Sequence, residues 1–494
     1  MLINAQLLLQ FQRCQRRSFL DTHNDDHPRD VRNELVLKLQ QDKHLNHQRI
    51  VTKLSYYEPD YPSGNWQAGA TATIELMQRG VSYIHHGVLL TTYNEKYTLL
   101  SRPDLLVKQP GKSRFGNWNY VPVNIELGKR PKQEYQVVIA FHAQVLATVQ
   151  GIILEKAGLI LRNKDKTHLV DLDKWIPQML DILNEYTQVI DAANPPEVFI
   201  SRQKCNLCHW YNHCYGIAQA QQHLSLLPGV TPIRYTQLQN LDITSLEALA
   251  RTQPSTLENL TGFDSNIAGK LVIQAQSVLT KQPLTLPGLC SPEYLTFVAP
   301  IELYFDIEAQ PDLNLNYLLG VLVVDRIANT EQFYSFLAET PDQEQLIWQQ
   351  FLALVSQYPQ APIYHFCAYE VDTVQHLGKL YRTPYNELRS VLNRLVDIYE
   401  QLVKSVALPI DSYALKTIAR WLGFEWREQE ANGAKCIYWY DQWLETGDRT
   451  LLSIIQEYNE DDCRATRTVK DWLVSFFLSK CVNSVIFYLY YLML

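Results

Sequence analysis

The chain lacks a net positive charge. Its 494 residues include 44 Lys and Arg against 52 Asp and Glu, a formal net charge of -8, so the field of the whole molecule repels phosphate. Contact with nucleic acid must therefore come from local basic stretches, and the sequence offers two, at 108–114 and 129–132. A negative balance argues against a protein that holds nucleic acid by its overall charge. It does not exclude a nuclease, whose metal-binding carboxylates are themselves negative.

A secretory leader and an unbroken apolar run of membrane-spanning length are also missing. The first residues, MLINAQLLLQFQRCQRR, have no basic region before the apolar stretch and no small-residue cleavage site. The apolar end of the chain is interrupted at Lys480 and Asn483, whereas a span needs about 20 consecutive apolar residues. We predict a cytoplasmic protein without a membrane partner. Four interpretations of the apolar tail at 479–494 stay open: a buried segment, an odd gene end, a weak membrane contact and, as the less favoured one, a true membrane span.

Cysteine is sparse, and its spacing is informative. Nine cysteines without a secretory leader favour a reducing compartment and metal or thiol chemistry over a disulfide framework. Three of them lie within ten residues: Cys205, Cys208 and Cys214. No second pair lies nearby, and the one other cysteine in the first 200 residues is Cys14. Thiolates bind zinc or iron-sulfur clusters. The alternative to a four-cysteine site is zinc held by the three clustered cysteines with His209 or His213.

This cysteine layout resembles the iron-sulfur staple of the RecB-like, PD-(D/E)XK exonuclease families, in which one cysteine precedes the nuclease core and three follow it. The resemblance implies a 4Fe-4S cluster bound by Cys14, Cys205, Cys208 and Cys214. It also implies a core with an acid on one strand, an acid-x-lysine on the next, and an acid on an earlier helix. The stretch 98–107, the stretch 120–126 and the helical pattern at 136–149 supply the expected order of two strands and a helix.

The second strand departs from that family pattern. The resemblance gives Asp104 on the first strand and Glu75 on the helix, but the second strand reads Asn124-Ile125-Glu126, with Lys129 three residues further on. Strand positions three apart point to opposite faces, so Glu126 and Lys129 could cooperate only through a turn. We therefore expect this second candidate site to be degenerate and its domain to bind DNA or act as a scaffold.

A more complete set of acids lies downstream. Asp306 and Glu308 occupy alternate positions of a hydrophobic strand, so both can reach one pair of metal ions from one sheet face. Glu370 follows a polar residue in HFCAYE and is the expected third acid, with Asp372 as the fallback. Two divalent ions activate water and stabilise the leaving oxygen of a phosphodiester, which requires several converging acids.

The last motif is Tyr458-x-x-x-Asp462 in EYNEDDCRAT. Positions four apart share a helix face, so Asp462 is predicted to bind metal while Tyr458 positions the water. Asp461 lies about 100° round the helix and is the second choice. The predicted catalytic residues are thus Asp306, Glu308, Glu370, Tyr458 and Asp462, and all of these except the tyrosine are predicted ligands of Mg²⁺ or Mn²⁺.

The downstream region also contains VDIYEQL and SYALKTIARWLGFEW, which resemble inner segments of the RNase H-like exonuclease family called YprB-like. We assign structural roles to Asp397 and Lys416 in these segments. As a whole, the chain resembles RecB-like nucleases that join a cluster-stapled PD-(D/E)XK domain to an RNase H-like DEDD domain.

The predicted fold class is α/β, in five segments: a PD-(D/E)XK domain at 1–222, a helix-hairpin-helix-like helical segment at 223–285, a linker at 286–299, an RNase H-like domain at 300–478, and the apolar tail at 479–494. The resemblance implies a metal-dependent 3′–5′ exonuclease acting on DNA ends in repair or recombination. Its expected partners are single-stranded DNA or DNA ends, RNA as the second choice, and a repair helicase or other nuclease subunits. The alternatives are a nucleic-acid-binding scaffold without cleavage activity and an RNA-processing exonuclease.

Overall fold

The computed structural model describes residues 1–23, 28–31, 34–162, 166–287 and 298–492, with side chains left undescribed at 34, 35, 203 and 481–492. The chain divides into two compact units. Unit 1 comprises Met1–Val198 and Arg202–Cys214, and unit 2 comprises Phe199–Ser201 and Tyr215–Leu494. Both units mix helices with sheets, as the predicted α/β class requires.

Unit 1 is built on a five-stranded sheet of order β2-β5-β6-β7-β8 and a three-stranded sheet of order β1-β4-β3. Its strands are β1 Leu2–Asn4, β2 Tyr83–His85, β3 Leu89–Tyr93, β4 Tyr97–Ser101, β5 Leu105–Ser113, β6 Gly116–Glu126, β7 Lys156–Leu161 and β8 His168–Asp171. Its helices are α1 Ala5–Arg13, α2 Gln15–His23, α3 Glu34–Val51, α4 Trp66–Arg79, α5 Gln133–Gln150, α6 Leu172–Asp191 and α7 Arg202–Cys205, and α8 Tyr211–Ala220 begins in this unit. Strand β6 runs antiparallel to β5 and parallel to β7.

Helix α5 lies at the centre of the unit 1 core. Its apolar residues are buried all round rather than along one stripe, as in Val137, Ile139 and Phe141. A helix that is apolar on every side must be covered on every side. It packs against α6 and β6 in one hydrophobic cluster. The predicted helix at 136–149 therefore lies within α5.

The stretch 98–107 forms two strands in different sheets, where the sequence predicted one. Strand β4 ends at Ser101 and β5 begins at Leu105, so Asp104 lies in the connection between them. Pro103 has no backbone N–H to give to a sheet ladder, which explains the interruption.

Unit 2 contains a mixed sheet of order β12-β11-β10-β13-β14, in which β10 is antiparallel to β11 and parallel to β13. Its strands are β9 Leu284–Thr285, β10 Ile301–Gln310, β11 Leu315–Asp325, β12 Thr330–Leu337, β13 Ile363–His365, β14 Leu395–Asp397 and β15 Val406–Ala407. Its helices are α9 Pro232–Asn240, α10 Leu246–Arg251, α11 Pro254–Leu257, α12 Ser265–Thr280, α13 Glu344–Ser356, α14 Tyr369–Leu380, α15 Tyr385–Leu392, α16 Ile398–Ser405, α17 Leu415–Trp421, α18 Gly433–Thr446 and α19 Arg449–Leu492.

Helices α9 to α12 have a hydrophobic cluster of their own, yet they belong to unit 2. Gln274 of α12 donates to the carbonyl of Leu408, which ties these helices to the rest of that unit. The turns at Gly229 and Gly262 have positive φ, and the Arg234 guanidinium donates to both glycine carbonyls. The five expected segment boundaries stay predictions. Residues 288–297 of the expected linker lie outside the described residues.

A buried ion pair joins α19 to β10. The Nζ of Lys470 lies 2.5 Å from Glu302 Oε1, and the two side chains are 2% and 0% exposed. Arg326 and the Tyr304 hydroxyl donate to the other carboxylate oxygen of Glu302. Because a buried charge without its partner is costly, this pair fixes the position of α19 along β10.

Helix α19 also carries the apolar tail as far as Leu492. The side chains of 481–494, which include most of the tail, lie outside the described residues. Within the described part of the chain, no helix is both long and apolar enough to span a membrane.

Candidate active site

Three carboxylates converge between strand β10 and helix α19. Asp306 and Glu308 alternate on β10, and Asp462 lies on α19. One carboxylate oxygen of each lies within 4.8 Å of the others. The strand period of two puts the first pair on one face, and the pairing of β10 with β11 shifts register immediately after Glu308, as it does at a β-bulge. Bulges re-aim side chains next to active sites. The strand and helix predicted for these motifs are both present.

The electrostatics of the three acids favour a bound cation. Burial raises the pKa values of Asp306 and Glu308 well above their ordinary values, and the neighbouring carboxylates raise them further. Burial also raises the pKa of Asp462 to about 7, although hydrogen bonds from Trp426 and Tyr458 act in the other direction. Carboxylate oxygens are the ligands that Mg²⁺ and Mn²⁺ prefer. The donor set therefore fits the predicted ions.

Glu370 lies close to this trio but outside it. It is buried in the first turn of α14, and its charge contributes to the raised pKa values of Asp306 and Glu308. Its Oε2 is 3.4 Å from His365 Nδ1, and burial raises its own pKa. The fallback Asp372 is exposed on the same helix. Of the two, Glu370 is the acid that the fold brings towards the site.

Tyr458 lies one helical turn before Asp462 and is 9% exposed. Burial raises the pKa of its hydroxyl, and Asp462, Glu308 and Asp306 raise it further. The hydroxyl is thus a neutral hydrogen-bond donor surrounded by acids. This is the placement that the Tyr458-x-x-x-Asp462 motif predicts.

Two polar side chains that the motifs did not single out orient the acids. Asn459 Nδ2 donates to Asp306 Oδ2 over 2.6 Å, and Trp426 Nε1 donates to Asp462 Oδ1 over 2.7 Å. Gly320 makes room for the first of them, because a Cβ at that position would lie 1.6 Å from Asn459 Oδ1. A glycine in the middle of a buried strand was the available signal, since it indicates close approach of another group.

The residues that the sequence analysis left out of the predicted catalytic set have other partners. Arg427 donates to both carboxylate oxygens of Asp461 through its backbone N–H and its guanidinium. Asp397 caps α16 and accepts from the N–H of Cys367. Lys416 donates to the carbonyls of Gln429 and Ala431. These contacts agree with structural roles for Asp397 and Lys416.

The match to a known family falls on this part of the chain. Residues 303–474 match the family model RNase_H_2, of the RNase H superfamily. This stretch is an RNase H-like domain. No curated protein matches the chain. The solved structures that match include one described as "Crystal structure of SSO0001", at 10% identity over 44% of this chain and 86% of that one, with a TM-score of 0.26. A likeness at that score carries no argument.

The second candidate site, in unit 1, is assembled differently from the site in the RNase H-like domain. Asp104 and Glu126 line one cavity of about 310 Å³ together with Asn124 and Lys43. The ammonium of Lys43, on α3, lies 3.8 Å from Glu126 Oε2. Burial raises the pKa of Glu126 to about 7. Burial also raises the pKa of Asp104, but hydrogen bonds from His47 and the Ile125 N–H outweigh it and leave that pKa lowered.

Two residues predicted for this second site are not brought to it. Glu75 is exposed on α4, and Lys129 is exposed just beyond β6. Neither lines the cavity that holds Asp104 and Glu126. Lys129 fails because β6 ends at Glu126 and the chain turns away, whereas Lys43, distant in sequence, supplies a cation from helix α3.

The four predicted cysteine ligands gather where the start and end of unit 1 meet. Cys208 and Cys214 pack with Phe19, Leu20 and Trp210. Burial raises the pKa of Cys208 to about 11, and Cys14 and Cys214 raise it further. Cys14 and Cys205 likewise contribute to the raised pKa of Cys214. Mutual influence of this kind requires the thiols to be neighbours.

Asp21 links the two ends of unit 1 beside these thiols. Asp21 accepts from His209 and Trp210 and so ties α2 to the segment that carries the three clustered cysteines. Burial raises the pKa of Cys214, and a hydrogen bond from Arg16 opposes that rise. His209 uses its Nε2 for Asp21, which leaves only its other ring nitrogen for the alternative zinc site.

Proposed function

We propose that the RNase H-like domain is a metal-dependent nuclease, and specifically a 3′–5′ exonuclease that acts on DNA ends in repair or recombination. The observation that carries the proposal is the convergence of Asp306, Glu308 and Asp462 beside the Tyr458 hydroxyl. Buried acids of like charge are unfavourable without a cation. That a strand and a distant helix bring these three acids together supports a retained metal site.

The side chains around this site would have separate roles in the proposed reaction. Asp306, Glu308 and Asp462 would hold the divalent ions, with Glu370 completing the set from α14. When bound, such ions activate water and stabilise the leaving oxygen of a phosphodiester. The Tyr458 hydroxyl, which stays protonated at neutral pH and donates to Asp462 here, would turn its one O–H to the attacking water once a metal ion takes up that carboxylate. Asn459 and Trp426 hold Asp306 and Asp462 in place.

Unit 1 has a different role in this proposal. Its degenerate PD-(D/E)XK site would bind or scaffold DNA, and a 4Fe-4S cluster on Cys14, Cys205, Cys208 and Cys214 would staple its two ends. The second candidate function is a nucleic-acid-binding scaffold without cleavage. Pairing of Glu126 with Lys43 and the presence of Asn124 favour that role for unit 1. A cytoplasmic location and a repair helicase or nuclease subunit as partner belong to the same proposal.

The test is digestion of end-labelled single-stranded and duplex DNA and RNA by the full chain, with Mg²⁺ or Mn²⁺. We expect metal-dependent, stepwise loss of nucleotides from 3′ ends of DNA, abolished in Asp306→Asn and retained in Asp372→Asn. The second variant is a matched control because it removes an exposed acid near the site. Preference for RNA would select the RNA-processing alternative. Binding without cleavage in both metals would select the scaffold.

A further inference from the structure

One buried hydroxyl beside the three acids of the RNase H-like domain has no part in the proposed function. Tyr317, on β11, is 0% exposed, and its hydroxyl has no hydrogen-bond partner among the residues that the structure describes. A buried polar group without a partner lowers the stability of the folded state. Native proteins keep few such groups, and an ion or an ordered water commonly satisfies them. The Tyr317 hydroxyl therefore calls for a partner from outside the chain.

The register shift in the sheet places Tyr317 next to Glu308. On β11, Leu318 pairs with Glu308 and Asn316 pairs with Ala309, so Tyr317 is the extra residue between the two pairs. An extra residue of this kind can re-aim a side chain, and such residues are frequent beside active sites. Burial raises the pKa of Tyr317 well above its ordinary value, and the Glu308 carboxylate raises it further. The hydroxyl is therefore a neutral donor on the Glu308 side of the three acids.

The ring of Tyr317 is fixed by its neighbours. It stacks on Tyr440 of α18, with ring centroids 3.9 Å apart and planes 5° from parallel. Ala338 contacts both tyrosines, because its N–H donates to the Tyr317 carbonyl and its carbonyl accepts from the Tyr440 hydroxyl. The two stacked residues thus differ in that the hydroxyl of Tyr440 has a partner within the described chain and that of Tyr317 has none. A donor that is already rigid loses little entropy when it binds a ligand.

We infer that Tyr317 is a positioning residue of this site, whose hydroxyl donates to a water ligand of the divalent ion beside Glu308; the inference rests on the proposed function. Mg²⁺ is usually bound through one or two carboxylates and keeps several of its waters. The Tyr317 hydroxyl is close enough to Glu308 to be influenced by its charge, yet it makes no direct hydrogen bond to it. A water can bridge two polar groups at such a separation. Tyr317 from β11 and Tyr458 from α19 would then act on different waters.

The experiment compares Tyr317→Phe with Tyr440→Phe in the full chain, because each variant keeps its stacked ring and loses one buried hydroxyl. Without added divalent metal, Tyr317→Phe should melt about 2–4 °C above wild type, since it removes a buried group that has no partner. Tyr440→Phe should melt below wild type, because it takes the donor from the Ala338 carbonyl. Thermal melts followed by circular dichroism measure both shifts. A Tyr317→Phe protein that melts below wild type would show that the hydroxyl already has a partner and would overturn the inference.

Binding of Mn²⁺, measured by isothermal titration calorimetry, is a readout that a purely structural role would not change. The heat of binding that Asp306→Asn loses identifies this site. At this site Tyr317→Phe should bind Mn²⁺ about 10–100-fold more weakly than wild type, as expected for loss of an outer contact, and Tyr440→Phe should stay within about two-fold. Wild-type affinity in Tyr317→Phe would overturn the inference and leave the proposed function standing. Absence of Mn²⁺ binding at this site in the wild-type protein would overturn both.

Discussion

Two partly buried aspartates, one in each unit, have opposite electrostatics. Burial and neighbouring acids raise the pKa of Asp306 in the RNase H-like domain, whereas hydrogen bonds and His47 leave the pKa of Asp104 lowered in unit 1. Glu126 likewise faces Lys43. The RNase H-like acids face one another, so their charge calls for an ion from outside the chain. A metal site is therefore indicated by acids that have no counter-charge within the chain, rather than by the number of acids.

The largest expected effect tests which unit cleaves. Asp306→Asn and Asp462→Asn should each lower the cleavage rate by at least about 10³-fold, because each removes an ionised ligand. Asp104→Asn should lower it by less than about 10-fold, because that acid does not belong to the hydrolytic site. Rates on end-labelled DNA at saturating Mn²⁺ provide the measurement. The reverse ranking would move catalysis to unit 1.

The next effect concerns the hydroxyl beside the acids. Tyr458→Phe should lower kcat about 10²-fold while KM and metal affinity stay within about two-fold, because a positioned donor matters most as charge develops in the transition state. Tyr385→Phe, at an exposed tyrosine of the same domain, is the control. A Tyr458→Phe enzyme with wild-type kcat would reduce this residue to a packing aromatic.

A third prediction addresses the support of Asp306. Gly320→Ala places a methyl group against Asn459 and should displace its hydrogen bond to Asp306. Loss of such an outer contact weakens metal binding by about 10–100-fold. Isothermal titration calorimetry with Mn²⁺ measures this metal affinity. Gly433→Ala is the matched control, since nothing lies within 4 Å of a Cβ there, and an equal loss in that variant would contradict the explanation.

The smallest expected effect is a pH-dependent stability difference in unit 1. Burial raises the pKa of Glu126 from 4.5 to about 7, so the folded state favours the protonated acid. The contribution of Glu126 to stability is complete below pH 4.5 and is lost as the pH rises through about 7. Glu126→Gln should match wild type at about pH 4 and exceed it by about 1–3 kcal/mol at about pH 8.

Urea unfolding of the metal-free protein, followed by a unit 1 probe, measures that difference. Glu185→Gln is the control, at an exposed acid of helix α6 in the same unit. If Glu126→Gln were instead less stable than wild type at the higher pH, the attraction of Lys43 would outweigh burial. The contrast between paired and unpaired acids would then be sharper than the pKa of Glu126 indicates.

The residue pairs of the site that lie on one strand or one helix could be predicted from the sequence, because their spacing matches the repeat of that element. Asp306 and Glu308 share a strand face, and Tyr458 and Asp462 share a helix face, so their relation is local. Trp426 and Gly320 contribute through contacts between elements that only folding brings together. The same holds for Lys43, which replaces the expected Lys129, and for His47, which meets His85 across 38 residues. Glu75 is the opposite case: its position on a helix suggested a metal ligand, but its side chain is exposed and does not line the cavity.

The ion pair between Lys470 and Glu302 has a consequence for how the protein fluctuates. It fastens α19 to β10 within four residues of Asp306, and the same helix carries Tyr458 and Asp462. Local opening that separated the acids would expose a buried charge pair, at a cost of several kcal/mol. The backbone amides of β10 and of α19 near Asp462 should therefore exchange hydrogen with solvent in one cooperative event, at the rate of global opening of the domain. Heat would then release metal ions and unfold the domain together.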